Sequence, residues 1–389
     1  MTQNRFNKFK AEWENTFATL FGAPISNIIA ASESVAPYYY HKAKKGATST
    51  VVSVDIGGGT TDVLIVDKGE PKYLTSFRFA ANTIFGDGYS YDSDSNGFVN
   101  KYKDIITNQL ETNNLRGLKA VLKSVLDKRV STDVIAFLFS LASNKEIKKE
   151  KVEINFAKML ADDNRGKYVV ILFYVAIVYH IAKLMKAKGF DMPRHMTFSG
   201  NGSKVLNILS TNDATLVRLT KIIFEEIYAQ SYSIDGLDII RPANSKESTC
   251  KGGIILTPFQ SQDYGEIKDM KTILIGTDNE KFADVHMTYN DVTEADLDSV
   301  VDVIKEYIEF TFKLDKKFSF YDNFDVDRSI MNKVKDLCYR DIRTYLENGL
   351  AIKKSEIAQD GADDNLEETL FFYPLVGIIN AVVRNIYQM

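Results

Sequence analysis

Apolar residues near the start of the chain recur first at helical spacing and then at strand spacing. A helix is predicted over residues 5–20 because its apolar residues share one face, namely Phe6, Phe9, Trp13, Phe17 and Leu20. The pattern then predicts a strand over residues 26–31 and a helix over residues 34–45. Three antiparallel strands are predicted next, over residues 50–56, 61–66 and 72–80. Residues 100–165 are lysine-rich with helical spacing, which predicts a helical insertion after these strands.

The later part of the chain alternates strands with helices and then becomes mainly helical. Strands are predicted over residues 196–199 and 237–240, and helices over residues 216–229 and 248–256. This alternation predicts a layered α/β fold. Beyond about residue 262 the pattern predicts a strand pair over residues 272–275 and 282–289. Three helices are predicted to follow, one from Thr293 onward and two over residues 325–350 and 367–388.

Apolar stripes run along the predicted C-terminal helices. The first stripe is formed by Leu297, Val300, Val301, Ile304 and Ile308. Amphipathic helices ordinarily bury such faces, so core packing is the simpler interpretation. The alternative interpretation of these stripes is a cofactor-binding surface. The C-terminal extension that carries them is separately predicted to dock a protein partner.

The longest apolar run is shorter than a membrane span. Tyr168–Ala182 (YVVILFYVAIVYHIA) has about 15 residues, whereas a spanning helix needs about 20. We therefore predict a buried core helix and no membrane span. The first 20 residues are polar and do not resemble a signal peptide.

Composition narrows the class of protein. The 389 residues, 45% of them hydrophobic and 26% charged, suffice for two or three domains. A formal net charge of −4 gives no basic excess, so nucleic acid is not an expected partner. The two cysteines lie far apart and the four histidines are scattered, which predicts a reducing, cytoplasmic location without a structural zinc site.

The most informative segment is residues 51–67, VVSVDIGGGTTDVLIVD. Two strand-like runs flank a triple glycine, whose backbone N–H groups can approach phosphate oxygens closely. Thr60 and Thr61 add hydroxyl donors at the same edge. Asp55 would repel a bound phosphate, and its presence therefore predicts a metal ion or a positioned water between them. An ordinary hairpin with a glycine-rich turn is the alternative.

Residues 55–62 resemble the second phosphate motif of the ATPase superfamily that contains actin, sugar kinases and the seventy-kilodalton heat-shock chaperones. Three other segments follow the family's order. Residues 28–40 (IIAASESVAPYYY) resemble the strand and crossing helix, with Glu33 at the glutamate position. Residues 196–206 (MTFSGNGSKVL) resemble the adenosine motif, and residues 246–256 (KESTCKGGIIL) resemble the closing helix, where small residues allow tight packing. The chaperone and actin-like branches are the nearest.

This resemblance implies an α/β fold of the ribonuclease-H-like, actin-type ATPase class, a mixed sheet flanked by helices with a helical lid at about 100–165. Residues 1–48 would be a remnant of the first lobe, with residues 49–261 the second lobe and residues 262–389 a strand pair with a helical extension. The family's first phosphate loop has no counterpart in this chain. The chain therefore resembles the C-terminal part of a longer ATPase or a degenerate member of the superfamily.

The resemblance also implies roles for individual residues, with ATP and Mg²⁺ as the ligands. The β- and γ-phosphates would be held by the backbone of Gly57, Gly58, Gly59 and Thr60 and by the hydroxyls of Thr60 and Thr61. Asp55 would hold Mg²⁺ through water, and the catalytic residues would be Asp55, Thr60 and Glu33. Adenine and ribose would lie on a turn made of Gly200, Asn201, Gly202 and Ser203. Asp62 either belongs to this site or caps or pairs within the hairpin, and both interpretations stay open.

Three functions are consistent with these residues. The first is an ATP-binding protein with slow Mg²⁺-dependent hydrolysis coupled to lobe closure, for which a segment outside this chain would have to supply the first phosphate loop. The second is a scaffold that has lost hydrolysis and acts through protein–protein contacts. The third is a filament-forming actin-like protein. A sugar kinase is disfavoured because no positioned base or sugar-binding acid is found.

Overall fold

A mixed β-sheet lies at the centre of the fold. The computed structural model describes residues 3–22, 24–25, 35–45, 50–90, 92–232, 236–242, 245–255, 268–269, 272–274, 281–282, 287–360, 365–366 and 368–388. The sheet contains β1 (Val51–Ile56), β2 (Thr61–Asp67), β3 (Glu70–Phe77), β4 (His195–Ser199), β5 (Asp238–Ile240) and the two-residue β6 (Lys268–Asp269). Their order across the sheet is β5-β4-β1-β2-β3-β6.

The strand directions make the sheet mixed. Strand β2 runs antiparallel to both β1 and β3, while β1, β4 and β5 are mutually parallel and β6 is parallel to β3. A separate antiparallel pair consists of β7 (Thr272–Leu274) and β8 (Lys281–Phe282). The α/β prediction is confirmed at this level. The predicted strand over residues 26–31 lies outside the described residues.

Helices surround this sheet. In the first half they are α1 (Gln3–Phe21), α2 (Val35–Lys45), α3 (Ala81–Phe85), α4 (Gly97–Thr112), α5 (Arg116–Asp127), α6 (Ser131–Ser140), α7 (Lys145–Lys149), α8 (Phe156–Ala161) and α9 (Lys167–Ala187). In the second half they are α10 (Leu206–Leu209), α11 (Asp213–Tyr228), α12 (Ser245–Ile255), α13 (Glu294–Phe318), α14 (Phe320–Phe324), α15 (Met331–Tyr339), α16 (Ile342–Asp360) and α17 (Phe372–Asn385).

One helical prediction needs correction. The single helix expected over residues 325–350 is divided between α15 and α16, because Asp341 adopts a left-handed φ of 55° that a continuous helix excludes. Helix α1 forms as predicted, and three residues of its apolar face are exposed, namely Phe9, Trp13 and Leu20. Helical spacing predicts that a face is apolar, and it does not say what covers that face.

One face of the sheet packs against α9. The sheet contributes Val52, Val54 and Ile56 to this core, and Tyr174 of α9 contacts Phe198 of β4 with ring centroids 5.7 Å apart. Helix α9 is 21 residues long, longer than the apolar run, and by length and composition alone it could cross a membrane. The predicted buried core helix is nevertheless confirmed. Its most apolar window is 94% buried within the protein. Burial in the core is thus what explains its hydrophobicity.

The C-terminal helices belong to the same core. Tyr307 of α13 donates a 2.6 Å hydrogen bond to the carbonyl of Leu172 on α9, and α17 packs on α3, α4 and α9. Of the predicted stripe on α13, Leu297, Val300, Ile304 and Ile308 are buried. The prediction that this stripe belongs to the core is therefore confirmed. The predicted domain boundaries at residues 48 and 261 stay a prediction.

The opposite face of the sheet is covered by α2 near the start of β1. Val51, Leu64 and Val66 form a smaller cluster with Val35 and the tyrosines of α2, Tyr38 and Tyr39. Helix α12 packs along α2. A Cβ atom added to Gly252 would lie 1.7 Å from the carbonyl oxygen of Ala36, so the two helices are in backbone contact. The tight packing expected of the closing helix is thus observed at Gly252.

Neighbouring glycines in α12 test this helix crossing. We expect Gly252→Ala to lower the free energy of unfolding by about 1–3 kcal/mol, because the added methyl group overpacks the contact with α2. Gly253→Ala is the control, since a Cβ there meets nothing within 4 Å. It should raise stability by up to about 1 kcal/mol through helix propensity. Urea denaturation measures both changes, and similar changes in the two variants would contradict the described crossing.

His180 of α9 makes the stability of the core depend on pH. It is fully buried among the rings of Phe77, Phe371 and Phe372, and Nε2 has no hydrogen-bond partner among the described residues. Burial lowers the pKa of His180 from 6.5 to about 3. The unfolded chain therefore binds a proton at this position between these two pH values, and the folded chain does not.

Stability should therefore be complete above pH 6.5 and fall as the pH decreases toward 3. His180 should account for a loss of about 1.4 kcal/mol in the free energy of unfolding between pH 7.5 and 5.5. His180→Leu should remove this part of the pH dependence. Urea denaturation of both proteins at pH 7.5 and 5.5 measures the difference. Identical pH dependence in the two proteins would show that His180 is accessible to protons in the folded state.

Candidate functional site

The glycine-rich segment forms the turn between β1 and β2. Asp55 pairs with Asp62 and Ile56 with Thr61 across the hairpin, and the N–H of Gly57 donates a 2.9 Å hydrogen bond to the carbonyl of Thr60. Gly58, Gly59 and Thr60 are exposed at the tip. A Cβ atom added to Gly59 would meet nothing within 4 Å, so the fold itself does not require glycine there.

The turn after β4 packs directly on this hairpin. Strand β4 pairs in parallel with β1, so Ser199 lies beside Asp55 and the turn that follows reaches the end of β1. Gly200 has a φ of 80°, and a Cβ atom there would lie 2.2 Å from the carbonyl oxygen of Ile56. At Gly202 a Cβ atom would lie 2.1 Å from the carbonyl oxygen of Gly57. Two motifs distant in sequence thus meet through contacts that only glycine permits.

Asp62, Asp55 and Ser199 form a polar row across one face of the sheet. Directly paired residues on neighbouring strands project to the same side, and the pairing places Asp55 between the other two. The hydroxyl of Ser199 donates a 2.9 Å hydrogen bond to Oδ2 of Asp55, which is buried. Like charges on directly opposed strand positions repel. A cation near this pair would offset that repulsion.

The two threonines of the motif differ in their surroundings. Thr60 is exposed in the turn, as a phosphate contact would require. Thr61 is fully buried, and its hydroxyl donates a 2.6 Å hydrogen bond to the carbonyl of Phe79. It is paired with Ile56 and so projects to the core face, where a hydroxyl needs a partner. Its position differs from the predicted phosphate contact and fits a role in holding the hairpin.

The remaining predicted residues fall in three different settings. Asn201 is exposed at the start of a 3₁₀ turn, Asn201–Val205. Ser203 is buried, and its hydroxyl donates a 2.7 Å hydrogen bond to the carbonyl of Gly200, so it closes the turn. Glu33 lies outside the described residues.

A polar cavity of about 230 Å³ opens beside the turn after β4. Its walls include Ser203, Lys204 and Arg241, the last at the end of β5. Arg241 is held by an ion pair with Asp213 and by a 3.0 Å hydrogen bond to Oδ1 of Asn207. Lys204 and Arg241 are not among the predicted site residues. Their positions in the sequence could have indicated them, because each follows a strand that runs parallel to β1 and ends at the same edge of the sheet.

The acidic residues of the site do not form a direct metal cage. Among the described residues, no group of three or more His, Cys, Asp or Glu side chains is placed to hold a metal ion. Asp55 and Asp62 are a pair of carboxylates at opposed positions of one hairpin. The predicted contact of Asp55 with Mg²⁺ through water stays a prediction.

No protein-family model matches the chain, and no curated protein matches it by sequence. Among solved structures, component A of the (R)-2-hydroxyglutaryl-CoA dehydratase of Acidaminococcus fermentans is similar at 14% sequence identity. The match covers 60% of this chain and 70% of that chain, with a TM-score of 0.24. A TM-score this low does not establish a shared fold or a shared activity.

Proposed function

We propose that this chain binds Mg²⁺-ATP at the β1–β2 hairpin, as a protein of the actin-like and chaperone-like ATPase superfamily with a ribonuclease-H-like fold. The observation that carries the proposal is the backbone contact between the hairpin and the turn at Gly200 and Gly202. This contact joins the two segments predicted to bind phosphate and adenosine, residues 55–62 and 196–206, and so supports the proposal. An ordinary glycine-rich turn gives no reason for this contact.

The residues present fit the proposed ligand. Gly58, Gly59 and Thr60 are exposed, and a Cβ atom at Gly59 would meet nothing within 4 Å, so a phosphate group could approach the backbone N–H groups of this turn. Asp55, oriented by Ser199, would hold waters of the metal ion. When bound, Mg²⁺ would neutralise phosphate charge and favour phosphoryl transfer. The cavity beside Ser203 and Lys204 has the location expected for the base and ribose.

Slow hydrolysis coupled to closure of two lobes is the activity that we propose. Within this chain, Asp55 and Thr60 are the proposed catalytic residues, with Glu33 a third candidate. Thr61 is proposed to position the hairpin, because its hydroxyl is already engaged by Phe79.

Gly59→Ala separates ligand binding from folding. The added methyl group has free space in the protein, so we expect the free energy of unfolding to change by less than about 0.5 kcal/mol. Mg²⁺-ATP affinity should fall at least about tenfold, because the methyl group keeps phosphate oxygens away from the backbone N–H groups. Gly117→Ala, at another glycine with free space around it, is the control. Fluorescence titration with a labelled ATP analogue measures affinity, and equal affinity in both variants would contradict a phosphate-binding hairpin.

Asp55→Asn tests the proposed metal contact. The amide retains the shape of the side chain and removes its charge, so Mg²⁺-dependent ATP affinity should fall about 10- to 100-fold. Asp67→Asn is the matched control. Asp67 lies at the end of β2 that is far from the turn, where its side chain accepts a 2.9 Å hydrogen bond from the hydroxyl of Thr50. Affinities are compared by equilibrium dialysis with and without Mg²⁺. A metal dependence that survives in Asp55→Asn would exclude Asp55 from the metal site.

A further inference from the structure

A buried carboxylate near the C-terminus holds the segment that follows β3. Glu368 is almost fully buried, and its Oε2 accepts a 2.7 Å hydrogen bond from the backbone N–H of Arg78. Its Oε1 accepts a 3.1 Å hydrogen bond from the hydroxyl of Tyr373 and lies 3.7 Å from Nε of Arg78. A buried carboxylate with this many partners is costly to break, so it fixes the backbone at Arg78.

Aromatic packing reinforces the same attachment. The ring of Phe372, at the start of α17, stacks on Phe77 and on Phe79, with centroid separations of 4.1 and 4.7 Å. These two rings flank Arg78 in the sequence. Residues 77–79 are therefore held by both a polar and an apolar contact from the C-terminal part of the chain.

The other side of this segment holds the phosphate hairpin. The carbonyl of Phe79 accepts the hydrogen bond from Thr61. The N–H of Ala81 donates to the carbonyl of Gly57 at 3.3 Å, and the N–H of Asn82 donates to the carbonyl of Gly58 at 2.8 Å. Residues 77–82 thus lie between Glu368 and the turn of the hairpin, and every connection in this chain of contacts is direct.

We propose that Glu368 is a positioning residue for the phosphate hairpin and acts through residues 77–82. With Glu368 in place, residues 77–82 hold the carbonyls of Gly57 and Gly58, which restricts the motion of the turn and of its N–H groups. Preorganised donors bind an anion better than mobile ones because less ordering accompanies binding. The effect of Glu368 on nucleotide binding rests on the proposed function, whereas the contacts that connect Glu368 to the hairpin through residues 77–82 do not. By linkage, a ligand on the hairpin should in turn stabilise the attachment of residues 368–373.

Amide hydrogen exchange followed by mass spectrometry tests the connection in the full chain. Glu368→Ala should speed exchange at residues 57–62 and 77–82 by about tenfold, the effect of losing one buried hydrogen-bond acceptor. Glu368→Gln, which keeps an acceptor oxygen for Arg78, should restore most of the protection. If Glu368→Ala does not fold, Phe372→Leu replaces it. This variant removes the ring stacking and should speed exchange at the same residues, 57–62 and 77–82.

Asp163→Ala is the control for a general loss of stability. Asp163 is also a buried carboxylate that holds the C-terminal part of the chain, through Tyr387, Tyr102 and a 2.7 Å ion pair with Lys101. None of these contacts involves residues 57–62 or 77–82. Asp163→Ala should leave exchange in the hairpin unchanged. Equal exchange at 57–62 in wild type and Glu368→Ala, or equal acceleration in Asp163→Ala, would overturn the proposal.

Nucleotide binding gives a second, separate readout. Mg²⁺-ATP affinity should fall about tenfold in Glu368→Ala, recover in Glu368→Gln and stay unchanged in Asp163→Ala. Bound Mg²⁺-ATP should also slow exchange at residues 368–373 in the wild type. If the wild type binds no nucleotide, the proposed function fails, and the exchange pattern still decides whether Glu368 positions the hairpin. Normal hairpin protection with unchanged affinity in Glu368→Ala would reject the positioning role.

Discussion

Parallel pairing of β1 with β4 is the constraint on which the candidate site depends. Residues far apart in sequence are brought to one edge of the sheet, because the carboxyl ends of parallel strands coincide. The turn after β4 then meets the turn after β1 at a distance that excludes any side chain at Gly200 or Gly202. Without this backbone contact, the glycine-rich hairpin would be an ordinary exposed turn.

The two faces of the sheet carry different kinds of side chain near the hairpin. The face with Val52, Val54 and Ile56 packs on α9 and gives the hairpin a rigid base. The opposite face carries Asp55 and Asp62, and the only large apolar cluster on it within the described part of the chain lies under α2. Alternation of side chains along β1 produces this division directly. A site on such a strand is precise because its neighbours in sequence are locked in the core.

Sequence patterns predicted the elements well where packing agreed with local preference. The hairpin of β1 and β2, the long core helix α9 and the tight helix crossing at Gly252 all carry strong local signals of composition or spacing. Patterns did not reveal that Thr61 projects into the core, because that depends on the exact point where β2 begins. They also did not reveal Glu368, whose role arises from contact with Arg78 across 290 residues of sequence. Long-range contacts of this kind leave no periodic signal.

The central claim is that the hairpin holds the phosphates of a metal-bound nucleotide. Calorimetric titration of ATP into the wild-type chain, with Mg²⁺ and again with excess EDTA, tests it most directly. The account predicts saturable heat with Mg²⁺ that is lost or strongly weakened in EDTA, because two opposed carboxylates would otherwise repel the phosphates. Absence of saturable heat with Mg²⁺, or binding that is unaffected by EDTA, would contradict it.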